Sequence, residues 1–192
     1  MRLWGRSAFQ RYTDDAKRAI YFAHIEAVHR KQHSISVADL LVGITYNGES
    51  RASKIAHLKH KAVMLRSVVG IPHLPITSLA YQRGADIPLD DDAKKAVAYA
   101  TEEANLDSQF WIDSDHLLRA LMRFPNEAGE ALLQANIDLG LLRSASAQDR
   151  SEAPAAPAPK WPDVKNIVRT YWAVALIAAI LLIIFAYIQS QG

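Results

Sequence analysis

The chain has 192 residues, carries 22 lysines and arginines against 20 aspartates and glutamates, and contains no cysteine. The resulting net charge of +2 is too small for the strongly basic surface of a typical nucleic-acid-binding protein. The lack of cysteine excludes a disulfide framework and agrees with a reducing compartment.

The first third of the chain is predicted to be helical. A helix begins at Thr13 or Asp14, which are both good capping residues, and apolar residues then recur at intervals of three and four. A second helix begins at Ser36, which lies three residues before Asp39 as in a capping box, and the Asn47-Gly48 pair ends it. Shorter helices are predicted over residues 50–58 and 61–69. No strand pattern competes, so we expect an all-α fold.

The same pattern returns after residues 70–88, a connector with three prolines that we expect to be irregular. Residues 14–46 align with residues 91–123 without a gap, and twelve of the 33 positions are identical. We call this constant offset, which places Asp14 on Asp91, the repeat alignment. The corresponding helices begin at Asp90 or Asp91 and at Asp113, followed by shorter ones over 127–135 and 138–143. We therefore predict two tandem four-helix repeats with a pseudo-twofold relation, residues 9–69 and 86–143, in a domain of residues 1–143.

The rest of the chain is predicted to be a linker and a membrane anchor. Residues 144–165 form the linker, because the alternation of Pro and Ala between 153 and 159 favours an extended polyproline II chain. A tether is preferred to a proline-rich docking motif for a partner. In the anchor, residues 166–192, the uncharged run of Tyr171–Ile188 would span about 27 Å as a helix, close to the thickness of a bilayer core. The alternative is a helix buried in the protein itself.

The orientation of this single span follows from the charges beside it. Lys160, Lys165 and Arg169 precede the span, against Asp163 alone, and no signal peptide is recognisable at the N-terminus. The excess of positive charge predicts that the N-terminal domain stays in the cytoplasm.

The two second helices carry a recognisable motif. It stands as Ile35-Ser36-Val37-Ala38-Asp39-Leu40-Leu41 in the first repeat and as Ile112-Asp113-Ser114-Asp115-His116-Leu117-Leu118 in the second. With the repeat length and the helix order, it resembles the Clp N-terminal repeat domain of the Clp/Hsp100 unfoldases, over residues 9–143. The usual wording of that family is Ile-Gly-Thr-Glu-His-Leu-Leu, to which the second repeat is the closer match.

The resemblance implies recognition of proteins and not turnover. Clp N-terminal domains bind substrates and adaptor proteins, and some bind phosphoarginine through a first-helix Thr and the motif Glu. Here Thr13 is kept in the first repeat and Asp115 stands at the Glu position of the second, but neither repeat has both residues, which speaks against phosphoarginine. The phosphate-binding loop of an ATPase is absent from this sequence.

We therefore expect a protein without enzymatic activity or cofactor, single-pass in the bacterial inner membrane, that binds a protein client, an adaptor or a Clp-type partner. The alternative is a membrane protein that uses the repeats for self-association. Thr13, Asp115, Phe110 and Trp111 are the candidate protein-binding residues. Phe110 and Trp111 suit either a core staple or an exposed anchor, and the core is preferred.

Isolated histidine pairs and acids do not indicate catalysis or a metal. His29 and His33, and likewise His57 and His60, have helical spacing but lack a third ligand, so solvated histidines are expected. Asp113 and Asp115 are interpreted as a helix cap and a first-turn acid.

Overall fold

A computed structural model describes residues 9–72 and 87–152 of the chain. Within these ranges the protein is all-helical and no strand is formed. The eight helices are α1 (Asp14–His29), α2 (Val37–Tyr46), α3 (Arg51–Ala56), α4 (Leu58–Val68), α5 (Asp91–Leu106), α6 (Ser114–Leu121), α7 (Glu127–Gln134) and α8 (Leu139–Glu152).

Local capping explains where the long helices begin. The side chains of Thr13 and Asp90 accept hydrogen bonds from the backbone of the third residue that follows each of them, and they cap α1 and α5. Ser36 and Asp39 form the predicted capping box at the start of α2. Asp113 caps α6, with His116 as its partner in a second capping box. The predicted starts of these four helices are confirmed.

The helices share one hydrophobic core. α1 packs along α2 and α5 packs along α6, while α2 also contacts α5, α6 and α7. Small residues let α1 and α2 approach closely: a Cβ atom on Gly43 would lie 2.2 Å from the carbonyl oxygen of Ala19 and 2.8 Å from the nitrogen of Ala23. Only glycine fits at that crossing.

Two short backbone pairings connect the segments that enter the long helices. Tyr12 pairs in parallel with Ile112, and Ile35 pairs in parallel with Leu89. Ile112 donates its N–H to the carbonyl of Arg11, and Ile35 donates to that of Pro88, at 2.7 and 2.8 Å. Each pairing thus joins the entrance of a first helix to the entrance of the second helix of the other half of the domain.

The structure corrects the predicted end of the domain. α8 continues to Glu152, so the end of its helix at residue 143 and the start of the linker at residue 144 are wrong. The reason is a contact that local sequence does not reveal: Ser146, in the segment predicted to be linker, is fully buried and hydrogen-bonded to Asp115 at 2.5 Å.

The predicted membrane span cannot be compared with these helices. Not one of the helices between residues 9 and 152 that the structure describes is long and apolar enough to cross a bilayer. The span at 171–188, the linker beyond residue 152 and most of the connector lie outside the described residues.

Candidate protein-binding surface

The entrance of α1 lies against the loop between α5 and α6, and this brings Thr13 beside the predicted aromatic pair. Thr13 donates its backbone N–H to the carbonyl of Ile112 at 2.9 Å, and its hydroxyl donates to a carboxylate oxygen of Asp113 at 2.9 Å. Because the same hydroxyl also accepts the capping hydrogen bond of α1, its one donor and one of its two acceptor sites are used within the domain. Thr13 therefore positions this surface.

Phe110 and Trp111 lie on the surface, where their side chains are 64% and 53% exposed. The preferred interpretation of the pair as a core staple is therefore wrong, because Ile112 takes the buried position at the entrance of α6. The two rings pack edge to face with centroids 5.1 Å apart. Leu106 at the end of α5 is 67% exposed and extends the apolar character of this loop.

Arg11 fixes the loop that carries the aromatic pair. Its guanidinium donates to the carbonyl of Phe110 at 2.9 Å and to the side-chain oxygen of Asn105 at 3.0 Å, and it lies 5.2 Å from the centroid of the Phe110 ring. A held loop presents its aromatic side chains with little loss of conformational entropy on binding. We call the exposed side chains of Leu106, Phe110 and Trp111 the aromatic patch.

Asp115 is not on this surface. Its side chain is buried, accepts a hydrogen bond from Ser146, and lies 3.5 Å from the guanidinium of Arg119 and 3.8 Å from that of Arg51. One of its carboxylate oxygens has no hydrogen-bond partner. The structure thus places Asp115 in the interior, where it holds α8, α3 and α6 together.

The carboxylate of Asp107 is the centre of this buried charge network. It accepts hydrogen bonds from Arg119 and from Arg150 of α8, the second at 2.6 Å. Burial alone would raise the pKa of Asp107, but these two guanidinium groups outweigh it and lower the pKa to about 2. A strong anion here ties the end of α5 to α6 and α8.

His116 is held neutral within the same network. Its Nδ1 accepts the backbone N–H of Asp113 at 2.8 Å, so the proton is on Nε2, which lies 3.2 Å from Asp107. Burial lowers the pKa of His116, and Asp115 and Asp107 oppose that shift. The ring therefore acts as a capping group and not as a cation.

Asp107, Asp115 and His116 also form the one group of possible metal ligands within the described ranges, with ligand atoms within 4.8 Å of one another. The guanidinium groups of Arg119 and Arg150 already neutralise this group. Its donor set is that of an ion-pair network, and it does not fit a metal ion.

Each half of the domain also has a buried glutamate that joins its first helix to its fourth. Glu26 of α1 accepts hydrogen bonds from Arg66 at 3.2 Å and from Tyr46 at 2.8 Å. Burial and the bond to Glu26 raise the pKa of Tyr46 to about 12. Glu103 of α5 accepts from Arg143 at 2.5 Å and lies 3.5 Å from Arg119.

A concave surface lies apart from these residues. It has a volume of about 460 Å³ and is lined mainly by apolar side chains from the end of α6, from α7 and from the start of α8. Its lining residues include Met122, Phe124, Leu133 and Leu139. No local sequence pattern indicates this groove, because its apolar residues lie on separate segments of the chain.

Arg119 and Arg150 of the charge network are not among the residues predicted from the sequence. The spacing of Asp115 and Arg119 by four residues is a local signal that could have paired them. Arg150 carried no signal, since its partner Asp107 lies 43 residues away.

No family model matches the chain. The chloroplastic chaperone protein ClpC2 of Oryza sativa subsp. japonica is 27% identical over 123 residues, which cover 62% of this chain and 13% of the relative. An ATP-dependent Clp protease ATP-binding subunit, the ClpA homolog of Cyanidium caldarium, is 25% identical over 150 residues, which cover 72% of this chain and 16% of the relative. The chain thus spans less than a fifth of either relative.

Solved structures of N-terminal domains match most of the chain. The ClpD domain of Arabidopsis thaliana superimposes with a TM-score of 0.58 at 20% identity, over 77% of this chain and 99% of that one. The Hsp104 domain of Candida albicans gives 0.56 at 16% identity, over 75% and 94%. The ClpV1 domain from E. coli gives 0.54 at 19% identity, over 79% and 93%. The described part of the chain therefore has the all-helical fold of the Clp/Hsp100 N-terminal domains.

Proposed function

We propose that the chain is a membrane-tethered protein-binding module without ATPase activity, which recruits a protein client, an adaptor or a Clp-type partner to the cytoplasmic face of the bacterial inner membrane. The aromatic patch is the proposed contact surface. The observation that carries the proposal is the exposure of Phe110 and Trp111 on a loop that Arg11 holds in place.

Exposed aromatic side chains on a fixed loop suit protein recognition for a physical reason. Tryptophan and other large aromatic residues dominate the energetics of protein interfaces, and they lose little rotamer entropy when they are already positioned. The fold supports the same role, because recognition of substrates and adaptors is what the resemblance to Clp N-terminal domains implies. Thr13 contributes by fixing the neighbouring backbone.

The tether rests on the sequence. The uncharged run of residues 171–188 and the basic residues before it support a single span with the domain on the cytoplasmic side. Alkaline carbonate extraction of native membranes tests this part of the proposal. Recovery of the full-length chain in the pellet is expected, and its release into the supernatant would rule the anchor out.

The domain is proposed to be a duplication with a pseudo-twofold relation between its halves. The repeat alignment interchanges the two backbone pairings, since it takes Tyr12 to Leu89 and Ile35 to Ile112. It also relates the ion pair of Glu26 and Arg66 to that of Glu103 and Arg143. Both correspondences support the proposal.

Self-association is the alternative function, and photo-crosslinking separates the two. A photoreactive amino acid is placed at position 111 of the full-length chain in native membranes, and at Leu133, which is 58% exposed in the separate groove, as the matched control. Crosslinks from position 111 to a different protein support the proposal, whereas crosslinks only between copies of this chain support self-association. Crosslinks to a different protein from position 133 alone would move the site to the groove.

A further inference from the structure

The charges of the chain are unevenly distributed along its sequence. Residues 50–85 contain six lysines and arginines and no aspartate or glutamate. The remainder of the chain therefore has 22 − 6 = 16 basic residues against 20 acidic ones. A net charge close to zero for the whole chain thus conceals a segment of net charge +6, of which α3 and α4 form the described part.

The outward side of α4 combines basic and apolar side chains. At about 100° of rotation per residue, Lys59, His60, Val63, Met64 and Val68 lie within one half of the helix circumference. All five are exposed, and Val63 and Met64 reach 71% and 43% exposure. The opposite side contributes the buried Leu58, Leu65 and Arg66 to the interior. We call the five exposed residues the α4 face.

Lys59 of this face, and Lys54 on the preceding helix α3, have no anionic partner among the described residues. Arg51 pairs with Asp149 at 3.0 Å, Arg66 pairs with Glu26, and Lys61 donates to the carbonyl of Ala135. Lys59 and the neighbouring Lys54, both exposed, form no ion pair with any residue in the described ranges. Their charge is therefore available to an external anion.

The other half of the domain lacks this combination at the corresponding positions. The repeat alignment takes Lys54 to Ala131, Lys59 to Asn136 and Lys61 to Asp138. Met64 corresponds to Leu141, which is also exposed, at 44%. An exposed apolar residue thus occurs at this position in both halves, but the lysines around it occur in the first half alone. The fold therefore does not require the lysines of the α4 face.

We propose that the α4 face is a second membrane contact, which docks the domain on a bilayer surface containing anionic lipids. Lys59 among the exposed apolar residues of α4, with Lys54 on the preceding helix, would gain from the anionic headgroups, and the apolar side chains would gain from the acyl boundary. An acidic protein is the weaker fit, because protein interfaces are depleted in lysine and this face has no aromatic anchor. This inference deepens the proposed function, since the docked face would fix the orientation of an anchored domain.

The chain has no cysteine, so a single cysteine introduced at Met64 can carry an environment-sensitive fluorophore. The full-length Met64→Cys chain is reconstituted in vesicles of phosphatidylcholine and in vesicles with equal parts of phosphatidylcholine and phosphatidylglycerol. We expect a blue shift and quenching by doxyl-labelled lipid in the anionic vesicles only. Replacement of Lys54 and Lys59 by Glu in the same chain should lower the docked-to-undocked ratio at least roughly fivefold for each lysine lost.

Leu141→Cys provides the matched control, because its side chain is similarly exposed but lacks the basic neighbours. No shift is expected there in either vesicle. An unshifted label at position 64 in anionic vesicles, or equal shifts at positions 64 and 141, would overturn the proposal, and so would lysine-dependent binding of an acidic protein without any shift. A separate result would show that the chain has no membrane anchor. Carbonate would then remove the chain from membranes, but the chain would still bind anionic vesicles through α4, and added salt would weaken that binding.

Discussion

His116 gives the domain a pH dependence that can be traced to one ring. Burial lowers its pKa below the ordinary value of 6.5, so the unfolded chain takes up a proton at a higher pH than the folded one does. The free energy of unfolding is therefore unaffected by this group above pH 6.5, and it falls as the pH decreases from 6.5 towards the lowered pKa of the folded state.

We expect the variant His116→Gln to lose part of this pH dependence. Glutamine keeps an acceptor for the backbone N–H of Asp113 but does not titrate. The free energy of unfolding is measured by urea titration at several pH values between 5 and 7. Its change with pH should be smaller for the variant than for the parent. His60→Gln, at an exposed position, serves as the control and should leave this pH dependence unchanged. The same change of unfolding free energy with pH in the parent and in His116→Gln would show that the ring is not held neutral.

The two buried glutamates should differ in how much their loss costs. Glu103 lies near Arg119, Arg123 and Arg143, whereas Glu26 is paired with Arg66 alone among the cations of residues 9–72 and 87–152. Removal of a buried charge leaves its partner unpaired and costs about 3 to 5 kcal/mol. We expect Glu26→Ala to lower the free energy of unfolding more than Glu103→Ala does, as measured by denaturant titration. The buried Arg66 would lose its carboxylate partner, whereas Arg119 would keep Asp107 and Asp115. The reverse order would contradict the assigned network.

At the scale of the elements, the crossing of α1 and α2 depends on Gly43. Alanine normally stabilises a helix relative to glycine, by about 1 kcal/mol. At Gly43 the added methyl would collide with the backbone of Ala19 and Ala23, so we expect Gly43→Ala to lose about 3 kcal/mol instead. Gly140→Ala is the control, since its nearest neighbour is a side-chain oxygen of Asp138 at 3.2 Å and not backbone at 2.2 Å, so it should lose much less stability than Gly43→Ala. Thermal unfolding of both variants distinguishes a packing effect from a propensity effect.

The sequence predicted the elements whose signals are local. Four helices begin at a residue whose own side chain accepts a hydrogen bond from the following turn: Thr13, Ser36, Asp90 and Asp113. Such a cap can be predicted from a stretch of four residues. The end of α8 was missed, because Ser146 is held by Asp115 from 31 residues away. The aromatic pair was placed in the core, since spacing alone does not tell a staple from an exposed anchor.

The candidate site was predictable only in part for the same reason. Thr13, Phe110 and Trp111 were singled out from the sequence, and the structure brings them together through a backbone pairing between distant segments. Asp115 is a predicted protein-binding residue because it stands at the Glu position of the family motif. Its burial depends on arginines of α3 and α6 and a serine of α8, which no local pattern connects.

For the molecule as a whole, the structure moves the boundary of the folded domain to residue 152. A fragment that ends at residue 143 would lack Ser146 and Arg150, and it would leave Asp115 and Asp107 short of their partners. We expect the fragment of residues 9–152 to resist limited proteolysis and the fragment of residues 9–143 to be digested readily. Equal resistance of both fragments would show that the end of α8 contributes little.

The charge pairs at the turns between the long helices are reversed between the two halves. Arg30 contacts Asp39 in the first half, whereas in the second half Asp107 takes the position of Arg30 and pairs with Arg119. A chain that is still folding contains two nearly interchangeable hairpins, and α1 could pair with α6 by mistake. Such a mispaired hairpin would set Arg30 against Arg119, and its counterpart would bring the carboxylate of Asp107 against that of Asp39. We expect these like-charge contacts to disfavour the wrong pairing of the helices.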